Sequence, residues 1–313
     1  MRANVHSHGT WGTISTAVAV ATLGEVPAER IRAIINLAAS MSPANTWTPA
    51  LDGATIRNLY PGRSAFQGML AVDLQRCGFT GLEDGPSDVY GTLLADAFDG
   101  AAAISGIDGL ARSDAEREPY RIEQNYFKLH ACCRFNHFAL DALMELRRVH
   151  RLDASAVGKV EIVTIPFAVR MSEPAPATSL AARFSIPWAV AAALVLGRTD
   201  PSAFDETALA DARIRDLARR VVIATDPAMS PRRADTPTAR VRVMLRDGRT
   251  LEETTTVVRG DALSPVPRDE ITAKFLALAS PVLGDAHARK VADAVAETDT
   301  LEDIRALTEM LLP

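Results

Sequence analysis

The sequence predicts an α+β protein in which a mainly helical domain is interrupted by an inserted α+β domain. Three observations predict this class. Apolar residues recur at helical spacing in the first third, strand-like alternation appears in the middle, and helical spacing returns after residue 266. We therefore expect residues 1–118 to form the first part of the helical domain, residues 119–265 the α+β domain and residues 266–313 the return to the helical domain.

The first third is predicted to be helical around one long loop. Thr13–Leu23 is small and apolar, and Pro27–Ser40 begins with proline in a first-turn position. Residues 41–62 contain three prolines and two glycines, so we expect a loop there. Loops of that length in compact domains are usually functional. Further helices are predicted over Ser64–Arg76 and near Asp88–Phe98.

The middle of the chain mixes helices with strands. Its clearest local signal is a hairpin of two alternating strands, 240–245 and 251–257, around the turn Asp247-Gly248. The remaining predicted elements, in order, are a helix at Phe138–Val149, a strand at Lys159–Ile165, a helix at Ala181–Leu196, a helix at Glu206–Arg220 capped by Asp205, and a short strand at 221–224. Beyond Pro267, one helix is predicted to start at Asp269-Glu270, and two more to be capped by Asp285 and Thr300.

Composition and charge exclude several classes of protein. Lys and Arg total 34 against 39 Asp and Glu, for a net charge of −5, so we expect no nucleic-acid or membrane partner. No stretch approaches the ~20 apolar residues of a membrane span. The three cysteines, two of them adjacent, are not a disulfide framework, which indicates a reducing cytoplasm. A signal-peptide interpretation of residues 14–22 is disfavoured by His6, His8 and Trp11 before a short run.

The motif His6-Ser-His8 near the amino terminus has three interpretations. The two imidazoles are metal ligands, they cap the helix that starts near Thr13, or they work as a metal-free general acid and base. No further set of His or Asp ligands is evident. Histidine suits acid–base work because it titrates near the pH of the cell.

A second group of candidates lies at a loop-to-helix junction, where Arg57, Tyr60 and Arg63 surround a predicted helix start. Gly62 permits an unusual backbone there, and Ser64 is the expected N-cap. A helix amino terminus beside two arginines suits a carboxylate or phosphate. The alternative is ordinary capping with both arginines in solvent.

The third group is the segment Lys128–His137, in which a scarce lysine lies close to His130, Arg134 and two cysteines. A polycarboxylate pocket of Lys128, Arg134 and His137 fits these residue types. The alternatives are a cysteine nucleophile without an oxyanion motif, or a buried cysteine pair flanked by solvated cations. The common nucleotide, serine-hydrolase and zinc-protease motifs are absent from the sequence.

Taken in order, these segments resemble the MmgE/PrpD family, whose activities include 2-methylcitrate dehydratase, cis-aconitate decarboxylase and iminodisuccinate epimerase. Its motifs are matched by His6-Ser-His-Gly-Thr-Trp-Gly12, by Leu59-Tyr-Pro-Gly-Arg-Ser-Ala65 followed by Gly78-Phe-Thr-Gly81, by Lys128–His137 and by Ala182-Arg-Phe-Ser-Ile-Pro187. The resemblance implies a helical domain with an inserted α+β lid domain.

The resemblance also implies site residues. His6, Lys128 and His137 fall on family active-site positions, while Arg57 and Tyr60 stand where many members carry Lys and His. The implied catalytic residues are then His6, Lys128, His137 and Tyr60. Those implied to bind substrate carboxylates are Arg57, Arg63, Arg134 and His8.

The implied activity is that of a metal- and cofactor-independent lyase acting on a small di- or tricarboxylate. A base removes a proton α to a carboxylate, cations hold the carboxylates, and an acid assists the departing hydroxide; loss of CO₂ replaces that step in a decarboxylase. An epimerase, an inactive family member and a metal-dependent hydrolase are the alternatives.

Family members carry a long helical stretch before the His6 motif, and this chain starts almost at that motif. A helical domain without that surface should expose an apolar face. We therefore expect a homo-oligomer, or a hetero-oligomer with a chain that supplies the helices.

Overall fold

The structure, a computed structural model, describes residues 2–104, 121–230 and 236–311. Helices occur in all three of these ranges. In chain order they are α1 (Gly12–Leu23), α2 (Ala28–Ser40), α3 (Thr48–Leu51), α4 (Tyr60–Arg76), α5 (Gly85–Asp88), α6 (Gly100–Ile104), α7 (Arg134–His150), α8 (Ser179–Arg183), α9 (Ile186–Leu196), α10 (Glu206–Ala210), α11 (Ala212–Ala218), α12 (Arg268–Leu283), α13 (Asp285–Ala296) and α14 (Arg305–Met310). Short 3₁₀ helices and one π-helical turn, Val89–Leu94, join them.

One sheet of four strands lies within the described residues. The strands are β1 (Val157–Thr164), β2 (Val221–Thr225), β3 (Ala239–Leu245) and β4 (Thr250–Thr255), in the spatial order β2-β1-β3-β4. β1 pairs with β2 in parallel, and the other two pairs are antiparallel. Helices with a single mixed sheet confirm the predicted α+β class.

The chain divides into two compact units. The first comprises Met1–Pro119, Glu173–Trp188 and Phe204–Asp211; the second comprises Tyr120–Ser172, Ala189–Ala203 and Ala212–Pro313. The predicted boundary at residues 118 and 119 lies outside the described residues, and the insertion of a lid domain stays a prediction.

The core of the first unit is built from apolar side chains of α1, α2 and α4, most of them alanines. Its buried members are Ala17, Ala21, Ile34, Ala38, Ala71 and Val72. Small residues let these helices approach closely. A Cβ atom added at Gly68 of α4 would lie 2.5 Å from the Thr13 carbonyl oxygen, and one at Gly12 of α1 would lie 2.5 Å from Ser64 Oγ.

The core of the second unit lies between α7 and the sheet. Alternate side chains of β1 and β3 are buried, as a strand with one covered face requires. α7 presents Phe138, Leu140, Leu143 and Leu146 as buried apolar residues at helical spacing.

Two helices begin earlier than predicted. α4 starts at Tyr60, so Gly62 and Ser64 lie inside it, and the expected N-cap role of Ser64 is wrong. Ser64 Oγ instead donates to the Pro61 carbonyl oxygen at 2.8 Å. Pro61 is tolerated because the first turn needs no backbone donor. α7 starts at Arg134, which puts His137 in its first turn.

Two predicted long helices are each divided in two. Ser185 separates α8 from α9, because its Oγ caps the new helix by accepting from Trp188 N at 3.0 Å. Asp211 separates α10 from α11 with extended backbone angles. The cap at Asp205 is confirmed, since its carboxylate accepts from Ala208 N at 2.9 Å.

The carboxy-terminal helices correct two predicted caps. Asp285 is the first residue of α13, whose N-cap is Gly284, and Thr300 lies in a 3₁₀ turn before α14. No helix in the described ranges combines the length and the apolar character needed to cross a membrane.

The crossing of α1 and α4 gives a stability prediction. Gly68→Ala should lower the free energy of unfolding by about 1–3 kcal/mol, because its methyl group meets the Thr13 carbonyl and the Ala17 amide of α1. Urea denaturation of the purified protein measures the change.

Gly62→Ala is the matched control in the same helix. Gly62 is exposed and nothing lies within 4 Å of the added Cβ, so this variant should be neutral or slightly more stable. Equal stability of the two variants contradicts the tight crossing.

Candidate functional site

The amino-terminal segment is held against the long loop before α4. Val5 and Thr46 form an isolated antiparallel bridge. The His6 amide donates to the Asn45 carbonyl at 2.7 Å, and the Trp47 indole donates to the Val5 carbonyl at 3.1 Å. This pairing brings His6 into the interior of the first unit, where its side chain has no exposed surface.

Three aromatic rings surround the His6 imidazole. Ring centroids lie 4.0 Å away at Trp47, 4.9 Å at His8 and 5.7 Å at Tyr60. Tyr60 is itself buried in the first turn of α4. The loop before α1 approaches it closely at Gly9, whose φ of +86° favours glycine. His6 is therefore enclosed by groups that exclude water.

The hydrogen bonding of His6 defines its tautomer. The His8 backbone amide donates to His6 Nδ1 at 3.1 Å. Because a backbone N–H can only donate, Nδ1 is unprotonated and the neutral ring carries its hydrogen on Nε2. His6 Nε2 is buried and has no hydrogen-bond partner.

Burial, followed by charge repulsion from His8 and Arg57, lowers the pKa of His6 to about 4. At neutral pH His6 is therefore a neutral imidazole with a free N–H.

Two arginines complete this cluster. Arg57 Nη2 lies 3.0 Å from His8 Nδ1, and its guanidinium stacks 5.2 Å from the Phe184 ring. Arg63 Nη2 donates to Asn45 Oδ1, and its guanidinium lies 5.8 Å from the Tyr60 ring. Among the described residues no carboxylate forms an ion pair with Arg63.

The cluster contains more hydrogen-bond donors than acceptors. His6 Nε2, Asn45 Nδ2 and Arg63 Nε are all buried without a partner. Asn45 touches both of the others, since it binds the His6 amide and the Arg63 guanidinium. Buried donors cost free energy unless an acceptor satisfies them. A carboxylate, which offers two acceptor oxygens, fits this set.

The second unit holds the other candidates at the amino terminus of α7. The Phe127 amide donates to the Gly260 carbonyl and the Ala131 amide to the Thr199 carbonyl, each at 2.8 Å. Lys274 Nζ donates to the Lys128 carbonyl oxygen. These contacts fix the segment that leads into Arg134 and His137.

His137 has no exposed surface, and neither ring nitrogen makes a well-formed hydrogen bond. Burial, followed by the charges of His130, Arg134 and Lys128, lowers the pKa of His137 to about 2; a weak contact with the Cys132 backbone acts in the opposite direction. His137 is thus a neutral imidazole at physiological pH.

His130 is fixed by two side chains. Its Nε2 lies 2.9 Å from Asp141 Oδ1, and its Nδ1 lies 2.6 Å from Thr199 Oγ1. Asp141 Oδ2 accepts from the Arg259 amide at 2.7 Å. The His130 ring meets the His137 ring in a T-shaped contact, with centroids 4.8 Å apart. The His137 ring therefore packs against a His130 ring that is fixed by two hydrogen bonds.

Arg134 differs from Arg63 in having an acidic partner. Its Nη2 donates to Asp261 Oδ2 at 2.6 Å, and its guanidinium stacks 4.1 Å from the Tyr126 ring. Nη1 of Arg134 is buried without a partner. Asp261 therefore offsets the positive charge of Arg134, while Nη1 still has no acceptor.

The structure brings the predicted residues together in two groups. His6, His8, Arg57, Tyr60 and Arg63 lie around one point of the first unit. In the second unit, the charges of Lys128 and Arg134 act on His137.

The structure also bears on two alternative interpretations. Histidine capping of α1 is wrong, because Trp11 is its N-cap and no side chain caps it. In the part of the chain that the structure describes, no group of three or more His, Cys, Asp or Glu side chains is arranged to hold a metal ion. Cys77, Cys132 and Cys133 all lie in the described ranges, and none of them forms a disulfide bond.

Several residues of both groups were not singled out from the sequence. Asn45 and Trp47 lie in the long loop that was expected to be functional, so a signal for them existed. Asp141 stands among buried apolar positions of α7, and an acid in such a pattern indicates a buried partner. No local signal connects Asp261 or Lys274 to the Lys128 segment.

Comparison with known proteins identifies the family. The profile of the MmgE/PrpD C-terminal domain matches residues 130–300, more than half of the chain. The chain belongs to the MmgE/PrpD family. This MmgE/PrpD chain is 26% identical to a cis-aconitate decarboxylase of Aspergillus terreus over 196 residues, which cover 59% of the chain and 40% of that relative.

A second relative aligns along almost the whole chain. It is a cis-aconitate decarboxylase of Mus musculus, 23% identical over 312 residues, which cover 98% of this MmgE/PrpD chain and 62% of the mouse protein. The chain therefore spans less than two thirds of the length of these curated relatives.

The two buried imidazoles predict acid sensitivity. The unfolded chain protonates both near pH 6.5, whereas folded His6 and His137 resist protonation down to about pH 4 and about pH 2. The unfolded state thus binds more protons below pH 6.5, so the free energy of unfolding should fall as the pH drops from about 6.5, by up to ~1.4 kcal/mol per pH unit for each histidine. Urea denaturation between pH 5 and 7 measures this slope.

His137→Leu should reduce proton uptake on unfolding by about one proton in this range. His150→Gln, at an exposed position of the same helix, is the control. An unchanged slope in His137→Leu contradicts the assignment.

Proposed function

We propose that this chain carries the chemistry of a lyase acting on a small di- or tricarboxylate, by decarboxylation or dehydration at the carbon next to a carboxylate. The observation that carries the proposal is the set of buried donors around His6, which have no acceptor of their own. Family membership and relatives named cis-aconitate decarboxylase support the same class of substrate.

The cationic side chains would bind the substrate. Arg57, Arg63 and His8 surround the donor set of the first unit, and each suits a carboxylate oxygen. Lys128 and Arg134 offer the same chemistry in the second unit. Cations at a carboxylate also stabilise the negative charge that develops on it when the neighbouring carbon loses a proton or CO₂.

His6 is the proposed acid–base residue, and its tautomer favours the acid part of that role. Its Nε2–H is the free position, while Nδ1 is occupied by the His8 amide. In a dehydration a base takes the proton of the C–H bond, the C–H electron pair forms the new double bond, the C–O bond breaks, and a proton from an acid turns the departing hydroxide into water. In a decarboxylation the C–C electron pair stays on the carbon, which then takes the proton.

Tyr60 and His137 are proposed as further proton-transfer groups. The Tyr60 ring lies 5.7 Å from that of His6, in the same enclosed cluster. The neutral His137 keeps one nitrogen lone pair and one N–H without a well-formed hydrogen bond. A neutral imidazole is the form that can accept a proton.

We further propose a protein partner for the first unit. Within α4, Phe66 is 63% exposed and Met69 is 46% exposed, and Leu70 lies beside them. These side chains form an apolar face whose exposure to water is unfavourable. Helices of a second copy, or of a different chain, would cover this face by apolar packing.

The lyase proposal predicts a large loss of activity in His6→Ala. We expect kcat to fall by at least ~10²-fold for cis-aconitate or 2-methylcitrate, because the proton donor is gone. Release of CO₂ and absorbance of the unsaturated acid measure turnover, with the protein purified together with any chain that binds it. Circular dichroism checks folding.

His150→Ala, at an exposed histidine, should keep full activity. A loss below about tenfold in folded His6→Ala removes His6 from the catalytic role. Absence of turnover for every dicarboxylate and tricarboxylate tested contradicts the lyase and favours an inactive family member; racemisation of a dicarboxylate favours the epimerase.

The partner proposal predicts a change of assembly in Phe66→Gln/Met69→Gln. The native chain should elute as an oligomer, and the double variant should dissociate at micromolar concentration, because the shared apolar area is lost. Light scattering after size exclusion measures the mass. Val282→Gln, at a 75% exposed position of α12, is the control, and a native chain that is monomeric by itself and in its host contradicts the proposal.

A further inference from the structure

Two of the four lysines in the sequence meet in the second unit. Lys274, on α12, donates its Nζ hydrogen bond to the carbonyl oxygen of Lys128, 146 residues earlier in the chain. Both residues are partly buried. The charge of Lys128 acts on the partly buried Lys274, and such repulsion is unfavourable unless an anion offsets it.

The chain supplies no such anion among the described residues. Neither Lys128 nor Lys274 forms an ion pair there, whereas Lys159 lies 2.7 Å from Glu161. The nearby acids are already engaged. Asp261 binds Arg134, and Asp141 binds His130 and the Arg259 amide. Burial and the neighbouring Lys128 lower the pKa of Lys274, which is what an uncompensated pair of cations produces.

Two further groups of the same segment lack partners. His137 has no exposed surface and no well-formed hydrogen bond, and Nη1 of Arg134 is buried without an acceptor. Both residues lie in the first turn of the 17-residue helix α7, where the helix dipole favours negative charge. The positive charge of Lys128 also lowers the pKa of His137. The segment from Lys128 to His137, with Lys274 beside it, therefore carries more hydrogen-bond donors than the chain satisfies with acceptors.

We propose that Lys274, together with Lys128, binds a carboxylate of the polyacid substrate in the second unit. The inference rests on the proposed function and adds Lys274 to the residues that recognise the substrate. An ammonium group has three hydrogens, and one of them goes to the Lys128 carbonyl. The other two remain for the ligand, so Lys274 positions the Lys128 backbone and favours acids that carry more carboxylates.

The test separates the charge of Lys274 from its structural hydrogen bond. K274Q keeps an N–H donor for the Lys128 carbonyl and removes the charge, while K274R keeps the charge. The control is K290M, at an exposed lysine of α13. Calorimetry on the full chain, with any partner that copurifies, measures binding of propane-1,2,3-tricarboxylate, propane-1,3-dicarboxylate and inorganic phosphate, none of which can be turned over. Thermal unfolding confirms that each variant is folded.

We expect K274Q to weaken binding of the tricarboxylate by about tenfold or more and that of the dicarboxylate by less, because one charged hydrogen bond is lost. K274R should restore much of the affinity, and K290M should match the native chain.

Equal tricarboxylate binding by folded K274Q and the native chain overturns the inference and leaves the lyase proposal standing. Failure of the native chain to bind either organic acid overturns both. Phosphate that binds as tightly as the tricarboxylate, with the same loss in K274Q, overturns the carboxylate assignment in favour of a general anion site.

Discussion

Burial of imidazole side chains is the constraint on which both clusters depend. His6 and His137 have no exposed surface, and the loss of hydration keeps each ring neutral where a solvated histidine would be partly charged. A neutral ring can both give and take a proton, so the chemistry open to each cluster follows from its enclosure. The cations around each ring act in the same direction, because they repel a further positive charge.

The two clusters differ in how their arginines are balanced. Arg134 forms an ion pair with Asp261. Among the described residues, by contrast, the Arg63 guanidinium contacts only the neutral amide of Asn45 and the Tyr60 ring. A cation paired within the chain holds its segment in place, and a cation without an acid attracts an anion from outside. Arg63 is therefore better suited to binding a ligand's charge, and Arg134 to holding its segment beside the His137 ring.

Local sequence patterns predicted most helices and strands of the fold, because such elements form between residues that are close in the sequence. The β3–β4 hairpin follows from alternation around Asp247-Gly248, and α2 from apolar spacing after Pro27. Helix starts were less predictable, since Pro61 and Gly62, which are typical of loops, lie in the first turn of α4. The motif residues could be read from the sequence, but their partners could not. The pairing of Lys274 with Lys128 spans 146 residues and has no local signature.

The crossing of α1 and α4 limits which amino acids can replace Gly68. α1 begins six residues after His6, and the first turn of α4 carries Tyr60 and Arg63. Glycine at position 68 lets the two helices touch backbone to backbone. Any side chain there forces the helices apart and, with them, the groups around the imidazole. A substitution at this crossing thus changes the width of the enclosure without replacing a single residue that lines it.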